Sequence, residues 1–285
     1  MKNNVLLITF SLITVLLVSC SDEKEEQYVV PEESYQVAYL PDKDAEIQRQ
    51  NLEIMKKNTK VRFPCDTISL IEFVLNNYPE GTYLLETDKT LTYDIPEHAV
   101  IYYDKNSNYI FGVIAKSKSG ERFIEPKNII GFDQSFIDLD STELGTAFFY
   151  LVLFECSGNS FNVLWEAVIP SHGGFNRFSL KYWDYRKIPY IEVNFHYGQG
   201  IGHINYNYFL VEGITKPPHL LMTYEGINFE RSIANINDDN YPDYYEHVFI
   251  DAGGKIYSPD SVAFYWSPEE SVYINSRNRK QVRPY

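Results

Sequence analysis

The chain has 285 residues, a formal net charge of −14, and 16% aromatic residues, 24 of them Tyr. Acidity of this order excludes nucleic acid and anionic membrane surfaces as electrostatic partners. The three cysteines show no CxxC or Cys-His spacing, which removes zinc-finger organisation from consideration.

Residues 1–19 open on MKNN, with one positive charge, and continue as VLLITFSLITVLLV. That apolar run is too short and wrongly flanked for a stable membrane span, and it reads as a signal peptide. It ends at Leu17-Val18-Ser19-Cys20, which resembles the lipobox of bacterial lipoproteins. The resemblance implies cleavage before Cys20, lipid on that residue, and an outer membrane lipoprotein facing the periplasm or the cell surface. Its first partner is then the membrane, through the N-terminal lipid. The SDEKEEQ that follows is similar to surface-export signals of some lipoproteins and reads equally as a solvated charged linker. Residues 20–40 are expected to form a lipidated acidic tether.

Residues 41–80 are expected to be a short helical segment. Ile47, Leu52 and Met55 recur among charges, with acidic residues early and lysines late, which favours one amphipathic helix. Asp66 is placed to cap a second short helix carrying Ile68, Ile71 and Leu75 and ending at Tyr78-Pro79.

From 81 to 285 the texture changes to short runs of Tyr, Phe, Val and Ile separated by turn clusters. AVIYY and YIFGVIAKS flank DKNSN, and IEVNFHY and HINYNYFLVEG flank GQGIG. Each reads as strand, turn, strand, so this part is a β-rich domain. Three stretches align, beginning at Phe136, Leu180 and Ile233, with Gly145, Pro189 and Pro242 coincident at spacings of 44 and 53 residues. These spacings are near the size of one four-stranded propeller blade. The predicted fold is therefore mainly β and antiparallel, with propeller-like blades or a β-sandwich behind one or two short N-terminal helices.

The third stretch contains NINDDNYPDYYE, with oxygen-bearing side chains at alternate positions, as a calcium loop requires. An EF-hand is excluded by Pro242, which lacks the backbone N–H that such a loop needs, and by strand-like flanks. The stretch resembles the DxNxDGxPD loop of FG-GAP repeats, found in integrin α-subunit propellers. That resemblance implies calcium held by Asn235, Asn237, Asp239 and Asp243 with the Tyr241 carbonyl as fifth ligand. Asn replaces the pattern's first Asp, leaving two formal charges and an implied affinity of about 10⁻⁴ to 10⁻³ M. Asn240 replaces its Gly and can take the same left-handed turn. The alternative is a connector stabilised by Asx turns. In the other two copies the acidic positions are reduced to Asp138 and Asp140 in one and Asp184 in the other.

Cys65 and Cys156 are a candidate disulfide in an oxidising compartment, with two separate buried thiols as the alternative. No catalytic residues stand out. His196 and His203 flank GQGIG and are placed to face one another across a hairpin, while Glu155, Glu166 and Glu192 lie in apolar, strand-like stretches. The expected function is non-enzymatic binding of a protein or glycan, or structural service, at the cell envelope. A hydrolase acting on glycans or envelope polymers is the alternative.

Overall fold

A computed structural model describes residues 41–87, 97–104, 108–116, 148–158, 160–170, 174–197, 202–215 and 218–284. Among the described residues two helices precede fourteen strands: α1 (Pro41–Asn58), α2 (Thr67–Asn77), β1 (Tyr83–Leu84), β2 (Val100–Tyr102), β3 (Tyr109–Lys116), β4 (Phe148–Ser157), β5 (Ser160–Ile169), β6 (Phe175–Tyr182), β7 (Pro189–Tyr197), β8 (Gly202–Leu210), β9 (Leu220–Glu225), β10 (Glu230–Ala234), β11 (Asp243–Asp251), β12 (Ile256–Ser267), β13 (Val272–Asn275) and β14 (Gln281–Val282). All ladders are antiparallel, and the protein is mainly β with two helices. Residues 1–40, with the expected signal peptide, Cys20 and tether, and the first aligned stretch up to residue 147 lie outside the described residues.

Asp66 caps α2 as its position predicts, its carboxylate accepting from Ser69 N at 2.7 Å. The buried face of α2, Ile68, Leu70, Ile71, Val74 and Leu75, packs on the first sheet, where Phe73 meets Phe154 and Phe161 at ring distances of 6.1 and 5.5 Å. Helix α1 protects the edge of that sheet. The Gln48 amide donates to Leu84 O at 2.8 Å and accepts from Leu84 N at 3.0 Å, so a side chain completes the ladder that the two-residue strand β1 leaves open.

The first sheet runs β1-β3-β4-β5, with β2 also paired to β3. At Gly112 a Cβ would sit 3.1 Å from the Phe154 ring, so a larger residue there would require that ring to give by a few tenths of an ångström. The second sheet is a meander of nine strands in strict chain order from β6 to β14. One face of β7, β8 and β9, including Val193, Phe195, Ile204 and Met222, joins the first sheet and the helices in one apolar core. Phe149 of β4 stacks on Phe195 of β7 at 5.2 Å. Tyrosine suits this interface because its ring is buried while its hydroxyl reaches a backbone acceptor: Tyr208 donates to Val168 O at 2.6 Å and Tyr206 to Pro170 O. Trp165 likewise donates to Ile214 O at 2.7 Å.

The meander is weakly joined at its middle. Strands β9 and β10 share only the register pairs Glu230↔Glu225 and Arg231↔Tyr224. Beyond them a second core forms around Tyr244, Phe264, Trp266 and Tyr273, with Phe209 and Leu221 contributed from β8 and β9. Arg231 spans the junction. It is buried, stacks between the rings of Tyr224 and Tyr244 at 5.1 and 4.5 Å, and is ion-paired with Glu246.

Candidate functional site

The second and third aligned stretches are both strand-turn-strand units, β6–β7 and β10–β11, and their turns pack against one another. Tyr185, in the β6–β7 turn, donates its hydroxyl to Asp238 Oδ1 at 2.7 Å and accepts from Asn235 Nδ2 at 2.9 Å. Arg186 donates to Asp239 O and, at 3.4 Å, to Asn240 Oδ1. A guanidinium thus supplies positive charge to the loop from a turn about fifty residues earlier.

Within the loop each candidate ligand has a structural task. Asn237 and Asp239 form successive Asx turns: Asp239 N donates to Asn237 Oδ1 at 3.2 Å, and Tyr241 N donates to Asp239 Oδ1 at 2.7 Å. Asp238, rather than Asn240, takes the left-handed conformation, at φ 58°. Asp243 is fully buried and both its oxygens are occupied. Oδ2 accepts from Ile236 N at 2.9 Å and Asn237 N at 3.4 Å, and Oδ1 accepts from Trp266 N at 3.0 Å. Burial pushes its carboxyl pKa up against the opposing pull of these three N–H donors. Asn235 Oδ1, by contrast, is buried without a hydrogen-bond partner.

One orphaned amide oxygen suits a calcium ligand. Asp243, however, accepts from three backbone N–H groups, and Asp239 closes its own Asx turn. No group of three His, Cys, Asp or Glu side chains with metal-binding geometry occurs among the described residues.

Beneath the loop His219 is buried against aromatic rings. It stacks on Trp266 at 3.9 Å and shares a 2.9 Å hydrogen bond with the Tyr273 hydroxyl, which donates to Pro242 O at 3.2 Å. Burial pulls the imidazole pKa down from 6.5 to about 4. The folded state therefore holds His219 neutral while the unfolded chain takes up a proton, and stability present above pH 6.5 declines as the pH falls towards 4. The loss reaches about 3 kcal/mol by pH 4. The raised carboxyl of Asp243 opposes it near the acid end, since folding favours that group's protonated form. Urea unfolding of the wild type between pH 7 and 4 is expected to show this slope, and His219→Leu to reduce it, the half-buried His98 continuing to contribute.

The remaining candidates are spread apart. Cys65, between the helices, and Cys156, in β4, are brought together as a disulfide with a Cα–Cα distance of 6.1 Å. His196 and His203 are register partners across the β7–β8 hairpin, ring centroids 4.8 Å apart. Glu166 is bound by Lys116 at 2.6 Å, and Glu192, buried, by Lys181 at 2.7 Å and Arg177 at 2.8 Å. Glu155 sits on β4 opposite Tyr109 and Asn162.

A feature that no motif announced lies on the face of β7–β10 turned away from the first sheet. There Tyr190 stacks on Phe209 at 4.6 Å, and Asn207 donates to Thr223 Oγ1 at 3.4 Å. With Tyr182, Trp183 and the β9–β10 carboxylates these residues line a concavity of about 420 Å³. The only sign of it in the sequence is the alternation in INYNY of β8, which puts Asn205 and Asn207 on the face opposite Ile204, Tyr206 and Tyr208.

No protein-family model, curated protein or solved structure matches the chain.

Proposed function

We propose that this chain is a lipid-anchored cell-envelope protein whose β domain serves in non-enzymatic binding or as a structural element. The observation that carries the reading is the run from the apolar N-terminal segment to Leu17-Val18-Ser19-Cys20, followed by an acidic stretch and then a compact β domain. The disulfide suits an oxidising compartment outside the cytoplasm. No helix among the described residues is long and apolar enough to cross a membrane.

A binding role is favoured over hydrolysis by the state of the carboxylates. Glu166 and Glu192 are neutralised by lysine and arginine, which suits them poorly to act as a general acid and its partner. The two-sheet packing of β3–β5 on β6–β9 is better described as a sandwich than as separate blades, because one uninterrupted meander supplies nine strands.

In this reading the loop Asn235–Asp243 is an Asx-stabilised connector that takes calcium only at millimolar concentration, the ion having to compete with Arg186 and with backbone donors. Thermal melts with and without 5 mM calcium (about five to fifty times the implied dissociation constant) are expected to show stabilisation of no more than about 2 kcal/mol. Asn235→Ala with Asp239→Ala is expected to abolish it. A gain several times larger would establish a high-affinity metal site instead. For the anchor, the full chain is expected in the membrane fraction and Cys20→Ala in the soluble fraction. Equal partitioning of the two would refute lipidation at Cys20.

A further inference from the structure

We propose that the concavity on the outer face of β7–β10 is a binding site for an organic cation, an ammonium or guanidinium group on a body about the size of one amino-acid residue. This deepens the binding role above and rests on it. The volume, about 420 Å³, falls in the range of small-ligand sites.

The chemistry of the lining selects the ligand. Glu225 and Glu230 are direct register partners at the end of the β9–β10 hairpin, so their side chains leave the same face of the sheet. Like charges placed directly opposite one another destabilise a strand pair, and here they line a cavity instead of being relieved by a nearby lysine. Asp184 adds a third carboxylate to the lining. Among the described residues the positive groups nearby are committed: Arg231, itself part of the lining, pairs with Glu246, Lys181 and Arg177 pair with Glu192, and Lys187 lies 3.2 Å from Asp184 in an exposed pair. His247 stands 3.7 Å from Glu230, and its Nε2 is also hydrogen-bonded to Ser232 Oγ at 2.8 Å.

The other walls are aromatic. Trp183 and Tyr190 line the cavity, with the buried Phe209 ring behind Tyr190. Faces of such rings attract a cation and also cover its apolar stem. A neutral sugar would use the rings but gain nothing from the opposed carboxylates. A bare metal ion would use the carboxylates but gain little from the rings. An organic cation uses both.

The test is isothermal titration of the full chain in detergent with N-acetyl-arginine amide, N-acetyl-lysine amide, their neutral analogue N-acetyl-norleucine amide, methyl glucoside and calcium chloride. The cationic amides are expected to bind at least about tenfold more tightly than the neutral analogue, the factor that corresponds to 1.4 kcal/mol. Glu225→Gln with Glu230→Gln is expected to weaken that binding by at least as much without changing the melting temperature by more than a few degrees. Trp183→Ala, which leaves both carboxylates, is expected to weaken it as well. Equal affinity for norleucine amide, or undiminished binding in the double variant, would overturn the proposal. Calcium heat that disappears in the double variant, with no response to the amides, would overturn it in favour of a metal site. Saturable binding of methyl glucoside alone would overturn the cation while leaving the binding role intact, and binding of none of the five would remove this site while leaving the membrane anchor to its own test.

Discussion

Replacing both cysteines, Cys65→Ser with Cys156→Ser, is expected to lower the free energy of unfolding by about 4 kcal/mol, measured by urea denaturation under oxidising conditions. The bond spans a sequence separation of 91, and a long closed loop removes much entropy from the unfolded chain. It also fastens the helical segment to the β4–β5 hairpin, which the helices otherwise hold through packing of Phe73 and the apolar face of α2. Reductant added to the wild type is expected to reproduce the loss and to have no further effect on the double variant. A change below about 1 kcal/mol would mean that helix packing alone secures the N-terminal segment.

Asp243→Ala is expected to cost about 3 kcal/mol, because it strands the N–H groups of Ile236, Asn237 and Trp266 in a buried setting. The charge on this carboxyl is itself costly to bury, so Asp243→Asn, which keeps one oxygen acceptor without the charge, is expected to lose only about half as much. The same measurement separates the two descriptions of the loop. A connector is weakened equally with and without calcium, whereas a tight calcium ligand would show its loss only when the ion is present.

Local chemistry made much of this fold legible. Asp66 signalled the start of α2, and period-2 runs on either side of DKNSN and GQGIG signalled the β2–β3 and β7–β8 hairpins, because cap and pleat are decided within a few residues. The stretches at Leu180 and Ile233 both fall on strand-turn-strand units, but the turns differ, closing at Tyr182↔Pro189 with Lys187 left-handed in one and at Ala234↔Asp243 with Asp238 left-handed in the other, and nothing in either indicated that Tyr185 and Arg186 of the first would close the second. That contact depends on how a nine-stranded meander curves, which is set by packing at long range. The short β9–β10 junction and the second core beyond it are hidden for the same reason. The roles of the loop residues were visible only in part. Their spacing fits oxygen ligation, but whether an aspartate turns towards an ion or towards its own backbone is decided by burial, and Asp243 is fully buried.

The most direct test of an anchored envelope protein is the mass of the N-terminal peptide of the mature chain, recovered from membranes of cells making the full sequence. The expected first residue is Cys20, carrying lipid on its thiol and amino group. An N-terminus at any other residue, or an unmodified Cys20, would contradict it.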